Sequence, residues 1–221
     1  MNKPALRRKP ARRPSRAAPE GPARERLLEA ALEVFAERGF EGARTREIAA
    51  RAGANLGLLS YYFGDKLALW KAAVARAFGE LEAELGAIRA RLAAEAALDE
   101  RAEIEALLRG FVRFLGRRPA FMQLMNDESR RDGPRMRWLV EHHVRRIAGA
   151  IAEAAARARA RGLLPDVPDA HLHYILVGAA GLLFSQAPEC RLLMGLDPAD
   201  PRAAEAHANA LVKVLFRPGH A

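Results

Sequence analysis

The residues with the most distinctive chemistry lie between Asn55 and Phe63, in the run Asn-Leu-Gly-Leu-Leu-Ser-Tyr-Tyr-Phe. On a helix, at roughly 100° per residue, Leu59 and Phe63 share one face while Gly57 and Tyr61 point nearly opposite. Leu58 and Ser60 fall to the sides, and Leu56 and Tyr62 on the shoulders. An outward glycine forfeits about 1 kcal/mol of helix propensity relative to Ala. That loss is tolerable where another surface must come close. A tyrosine phenol can donate to a phosphate oxygen while its ring packs on the sugar. The chemistry such a helix suits is contact with a nucleic-acid duplex; the competing reading has Tyr61 and Tyr62 packed on the next helix.

Other reactive groupings are sparse. Cys190 is the sole cysteine, which excludes an internal disulfide framework and a cysteine-clustered zinc site. His171 and His173 stand about 200° apart on a helix, and His142 and His143 are adjacent and diverge, so neither pair suits a metal. There is no phosphate-binding glycine loop, no Gly-x-Ser-x-Gly elbow and no His-Glu-x-x-His. The expectation is a protein that is no enzyme and needs no metal or cofactor.

These residues must be positioned by helices. Half of the 221 residues are hydrophobic, aromatics are only 6%, and Ala is abundant, which favours helix over sheet. Leu28, Ala31, Leu32 and Phe35 form one face of a first helix that Gly39 stops, with Phe40 packing back on it. Thr45 reads as the N-cap of a short second helix burying Ile48, Ala49 and Ala52, and Gly53 ends it. Asn55 starts a third helix running to Phe63, and Asp65 caps a fourth with Leu69, Trp70, Ala73, Val74 and Phe78 inward. Further helices are expected near 81–95, 100–116, 119–131, 134–161, 168–186 and 198–216, broken by Pro and Gly. The longest apolar stretch, Tyr174 to Phe184, is eleven residues. A bilayer needs about 20, so a cytoplasmic protein without membrane contact is expected.

The net charge is +9, from 36 basic and 27 acidic residues. Lys3, Arg7, Arg8, Lys9, Arg12, Arg13 and Arg16 place most of it before residue 19, with no acid among them. Such a block reads either as a solvated tail or as an arm that touches a polyanion. Residues 20–66 are close to neutral, so affinity for a duplex must lean on a few placed groups and on the arm.

Two short helices joined at Gly53-Ala54 match a helix-turn-helix. Residues from Arg24 to about Ala73 resemble the DNA-binding domain of the TetR family of bacterial transcription regulators. The resemblance rests on Leu27-Leu28-Glu29-Ala30-Ala31, Phe35-Ala36-Glu37-Arg38-Gly39-Phe40, Thr45-Arg46-Glu47-Ile48-Ala49-Ala50-Arg51-Ala52-Gly53, Asn55-Leu56-Gly57 and Tyr61-Tyr62-Phe63-Gly64-Asp65-Lys66. It implies an all-α fold: an N-terminal three-helix domain with the helix-turn-helix, and a larger C-terminal helical domain for dimerisation and ligand binding. The expected division is a disordered basic arm over 1–19, a helix-turn-helix DNA-binding domain over 20–80 and a helical effector-binding and dimerisation domain over 81–221.

By the same resemblance Thr45 and Arg46 meet a phosphate, and Asn55, Gly57, Ser60, Tyr61 and Tyr62 lie along the major groove. Lys66 contacts phosphate at the start of the fourth helix. Leu56 and Leu58 replace polar or small residues that are usual in the family, which favours apolar contact with thymine methyls. The partners implied are a double-stranded operator, a second copy of the chain and a small-molecule effector. Phe111, Phe114, Phe121, Met125, Trp138, His142 and Tyr174 are candidates for the effector pocket, against a plain-core reading of the same stripe. Gly178, Gly181, Leu182, Leu211 and Leu215 are candidates for the dimer interface. The alternative is a DNA-binding protein whose second domain recruits a protein partner.

Overall fold

The computed structural model describes residues 21–94 and 99–216. Every regular element among them is helical. Helix α1 (Pro22–Gly42) begins on Pro22, whose missing N–H costs nothing in a first turn, and buries Leu27, Leu28, Ala31, Leu32 and Phe35. Gly39 takes φ 66° and ψ 171°, which kinks the chain and lets Phe40 stack on Phe35 at 5.8 Å. Helices α2 (Thr45–Arg51) and α3 (Leu56–Phe63) follow, joined through Gly53 at φ 61°.

Thr45 is the first residue of α2, not its cap: Arg44 occupies the cap position and its carbonyl accepts from the Ile48 N–H at 3.1 Å. Asn55 does cap α3, its Oδ1 accepting from the Leu58 N–H at 2.8 Å. Asp65 likewise accepts from the Ala68 N–H at 2.8 Å, ahead of α4.

Helix α4 (Lys66–Ala94) is 29 residues long, and at 1.5 Å per residue it spans about 44 Å. The expected break near residue 80 is absent. Leu81, Leu85 and Ile88 extend its apolar row past Gly79, and the expected 80/81 domain boundary falls inside the helix. Helices α5 (Glu100–Arg117) and α6 (Pro119–Ser129) turn at Arg118-Pro119. The helix expected over 134–161 comprises α7 (Pro134–Leu139), a wider π turn (Val140–Val144) and α8 (Arg145–Ala160). Then come α9 (Asp169–Ser185), α10 (Ala187–Met194) and α11 (Pro201–Leu215). Helix α10 was not anticipated, because none of its residues is buried and periodicity has no inward face to report there.

The core is one continuous cluster running from α1 to α11. Helix α1 packs on α4 and α6, and α5 packs on α4, α9 and α11. No described helix is long and apolar enough to cross a membrane.

Candidate nucleic-acid interface

Helix α3 is held at its back by Leu59, which is buried, and by half-buried Phe63. Leu56, Gly57, Ser60 and Tyr61 are exposed, Tyr61 at 68%. Leu58 and Tyr62 are half-buried, the Tyr62 ring lying between Tyr61 at 5.5 Å and Phe63 at 6.0 Å. A Cβ on Gly57 would meet only Asn55 Oδ1, at 3.3 Å, so the outer face of the glycine is open. Asn55 is exposed, but its carbonyl oxygen is engaged by the cap, which leaves its amide N–H groups for any outward contact.

Thr45, Arg46, Leu56, Ser60 and Lys66 line a single concavity between the start of α2 and the α3–α4 junction. The same surface includes Arg44, which the sequence reading missed for want of a motif position. Arg44 and Arg46 are exposed and have no ion pair among the described residues. The Lys66 ammonium donates to the Glu41 carbonyl at 3.2 Å and sits 4.8 Å from the centre of the Phe40 ring.

The near-neutral head is polarised by how its charges pair. Arg51 takes Glu37 at 2.6 Å, Glu47 at 3.5 Å and Glu33 at 3.6 Å. The Arg51 hydrogen bond holds the Glu37 carboxyl below its usual range. Arg76 binds Glu25 and Glu29 at 2.7 Å and Glu80 at 2.8 Å. Arg118 pairs with Glu29 and, at 3.0 Å, with Glu80. Glu25, Glu29, Glu33 and Glu37 are thus satisfied away from the concavity and Glu47, on its wall, is shared with Arg51, while Arg44 and Arg46 beside α3 have no ion pair among the described residues.

The head is joined to the middle helices through aromatic rings, through the Glu29–Arg118 pair and through the Arg135 guanidinium, which a buried carboxylate of the middle helices holds against Phe40. The Arg135 guanidinium lies 4.1 Å from the Phe40 ring centre, and its Nε donates to buried Glu128 at 2.9 Å. Trp70 on α4 packs on Trp138 at 5.7 Å, and Trp138 stacks on His142 at 4.8 Å. His143 stacks on Phe78 at 4.7 Å with neither ring nitrogen partnered. Burial pushes the pKa of His143 and of His173 down.

A second site lies deeper in the helices beyond the head. A cavity of about 300 Å³ is enclosed by α4, α5, α8, the middle of α9 and the end of α11, with Leu81, Leu85, Ile104, Leu107, Ile147 and Ile151 among its walls. Of the seven pocket candidates only Phe111 lines it. Phe114 and Phe121 are buried core, paired edge to face at 5.5 Å, and Met125 is half-buried beside them. Trp138 and His142 belong to the joint with the head, and Tyr174 is 75% exposed. The plain-core reading therefore holds for Phe114 and Phe121. The lining residues carried the right signal, apolar positions at helical spacing on α4, α5 and α8, but nothing in spacing tells a wall from a filled core.

The interface candidates also divide. Gly178 and Leu182 share the exposed face of α9 with Tyr174 and Ile175. Gly181 faces inward, where a Cβ would come within 2.7 Å of Met122, so this glycine serves packing inside the subunit. Leu211 is buried, and Leu215 lines the cavity. Among the described residues no group of acids, His or Cys could hold a metal ion.

An exposed helix on a helix-turn-helix, followed by a larger helical region, defines a class of DNA-binding regulator folds. The model of bacterial regulatory proteins of the tetR family matches residues 27–73, and that of the tetracyclin repressor-like C-terminal domain matches 101–215. The chain belongs to the TetR family of transcriptional regulators. It is 25% identical over 189 residues to the transcriptional repressor NicS of Pseudomonas putida, covering 81% of this chain and 84% of that one. It is 34% identical to the transcriptional regulator BetI of Stenotrophomonas maltophilia over 87 residues, 39% of this chain and only 42% of BetI.

Solved structures share the fold. KstR2, a ketosteroid transcriptional regulator of Mycobacterium tuberculosis, superposes with TM-score 0.67 at 18% identity, over 88% of this chain and 95% of its own. AibR, solved in complex with isovaleryl coenzyme A and operator DNA, gives TM-score 0.69 at 18% identity, over 89% and 100%.

Proposed function

We propose that this regulator acts as a homodimeric repressor that reads a near-palindromic operator through α3 and is released when a small apolar effector fills the cavity. The observation that carries the reading is the outer surface of α3: Gly57 and Tyr61 face solvent beside Arg44 and Arg46, which have no ion pair among the described residues. On this reading Arg44, Thr45, Arg46 and Lys66 bind phosphate, and Leu56, Gly57, Ser60, Tyr61 and the Asn55 amide meet the major groove. Leu58 and Tyr62, half-buried, set the pitch of the helix more than they touch bases. Two copies would set their α3 helices about one DNA turn apart, roughly 34–36 Å.

The dimer is supported by the apolar face of α9, where Tyr174, Ile175 and Leu182 are all exposed around Gly178. Close approach at a glycine suits a helix bundle with a partner. The division of labour follows: residues 1–19, which lie outside the described residues, form a basic arm; the head reads DNA; the remainder senses and dimerises. Helix α4 links the two activities, since Lys66 opens it at the DNA end while Leu81 and Leu85 wall the cavity. A hundredfold loss of operator affinity requires the effector to favour the released conformer by about 2.7 kcal/mol. AibR, solved with both isovaleryl coenzyme A and operator DNA, is a precedent for one fold holding both ligands.

The alternative, recruitment of a protein partner, is favoured by one feature: α10 exposes Leu192, Leu193 and Met194 together. The cavity weighs more, because a chain that only recruits has no use for one.

The test is selection from random duplexes followed by Gly57→Glu. Glutamate at the second position of a helix suits the macrodipole, so the fold should survive. The carboxylate would meet phosphates and groove acceptors, and operator binding should fall at least a hundredfold. Wild-type affinity in that variant would remove α3 from the interface.

A further inference from the structure

The walls of the cavity are apolar, but its rim is not. Of its described lining residues, only Arg89 and Arg146 are exposed, and the one acid among them is Glu82. The interior offers no partner for a charge, so whatever enters must be apolar along its buried length. At roughly 30 Å³ for each water-sized group, about ten non-hydrogen atoms fill the space. The rim decides the other end of the ligand. Two guanidinium groups repel a cation and, for a wholly uncharged molecule, make no distinction.

The partners of these arginines are informative. Among the described residues Arg89 reaches only Glu103, at 3.9 Å, and Glu103 is shared with Arg157 at 4.0 Å. Arg146 on α8 pairs with Glu82 on α4, across the cavity rim. An exposed pair of this kind contributes little stability by itself and exchanges partners readily. A carboxylate or phosphate head presented at the rim would compete with Glu82 for the same guanidinium.

We propose that the effector is an apolar monoanion, with a body of about ten non-hydrogen atoms in the cavity and its head on Arg146 and Arg89, and that its binding takes Arg146 from Glu82. This rests on the reading that the cavity holds the effector. Two consequences are built in. Glu82 is released on the helix that begins at Lys66, so the tether between α4 and α8 is cut at the moment of binding. Removing the Glu82 charge should also strengthen binding of an anion, because the competitor is gone.

The experiment uses the full chain with decanoate and 1-decanol, matched in length and differing in charge, by calorimetry below their aggregation limits. Wild type should bind decanoate at least tenfold more tightly than decanol. Arg146→Gln should lower decanoate to about the level of decanol, while Glu82→Gln should tighten decanoate severalfold and leave decanol unchanged. Arg146 is exposed at 66%, and both variants should keep the wild-type circular dichroism and melting temperature. Equal affinity of the wild type for the two probes, or decanoate binding unmoved by Arg146→Gln, overturns the proposal. Ala150→Trp, which fills the cavity, separates the two failures. If both probes bind equally and the tryptophan blocks both, the cavity site stands and the anionic class falls. If binding persists in the tryptophan variant, the cavity reading itself falls.

Discussion

Replacing Arg135 with methionine tests how far the middle helices, where they meet the head at Phe40, depend on a buried charge pair. Arg135 Nε lies 2.9 Å from a Glu128 carboxylate oxygen, and Glu128 is only 4% exposed. The second carboxylate, Glu41 at 3.3 Å, has a side chain 75% exposed and contributes little. The guanidinium carbon 4.1 Å from the Phe40 ring centre adds a cation–π contact of about 0.5–2 kcal/mol. Methionine keeps part of the stem packing but leaves the Glu128 carboxylate buried and unpaired, which costs about 3–5 kcal/mol. For a chain of this length each kcal/mol moves the melting temperature by about 2–4 °C, so a fall on the order of 10 °C is expected. Glu128→Gln in the same background removes the orphan charge and should recover about 1.5–3 kcal/mol. The assay is urea unfolding of wild type, both single variants and the double variant at one fixed protein concentration, since a dimer gains stability by mass action. A loss below 1 kcal/mol in Arg135→Met, or a double variant no more stable than it, would refute the reasoning.

Three other outcomes are expected. Deleting residues 1–18 should weaken operator binding and flatten its salt dependence, by about 0.9 in logarithmic slope for each arm cation withdrawn from phosphate; an unchanged slope would show the arm to be inert. His143 and His173 have folded pKa values below the ordinary 6.5, so the unfolded chain binds the extra protons. Their contribution is complete above about pH 6.5 and is lost as pH falls through the window beneath it, and His143→Phe should flatten the melting temperature between pH 5 and 6.5; an equally steep decline in that variant would clear His143 of the effect. Leu182→Arg, on the exposed face of α9, should yield monomers by light scattering and lose operator affinity together, and a variant that stays dimeric would move the interface elsewhere.

Much of the head could be read directly. The kink at Gly39, the turn at Gly53 and the caps at Asn55 and Asp65 depend on residues three or four apart, and such short-range hydrogen bonds and φ preferences are written in the local sequence. The wheel placing Gly57 and Tyr61 outward from Leu59 needed only the helical period. Thr45 was misjudged by one position because Arg44 supplies the cap with its backbone, which side-chain preference does not register.

Beyond the head, periodicity identified apolar faces without saying what each face meets. Phe114 and Phe111 lie three residues apart on α5, yet one closes the core and the other borders the cavity. Gly178 and Gly181 are equally close on α9, and only the position of Met122 turns one inward. A cavity is volume that several helices fail to fill, and the sorting of Arg44 and Arg46 from their paired neighbours depends on which acids distant segments bring near. The amino-acid sequence alone determined most of the helices, the caps at Asn55 and Asp65 and the outward face of α3, because those follow from contacts within a turn or two. The cavity, its charged rim, the unbroken α4 and the sorting of paired from unpaired cations among the described residues were decided by tertiary packing, because each depends on distances between residues far apart in the chain.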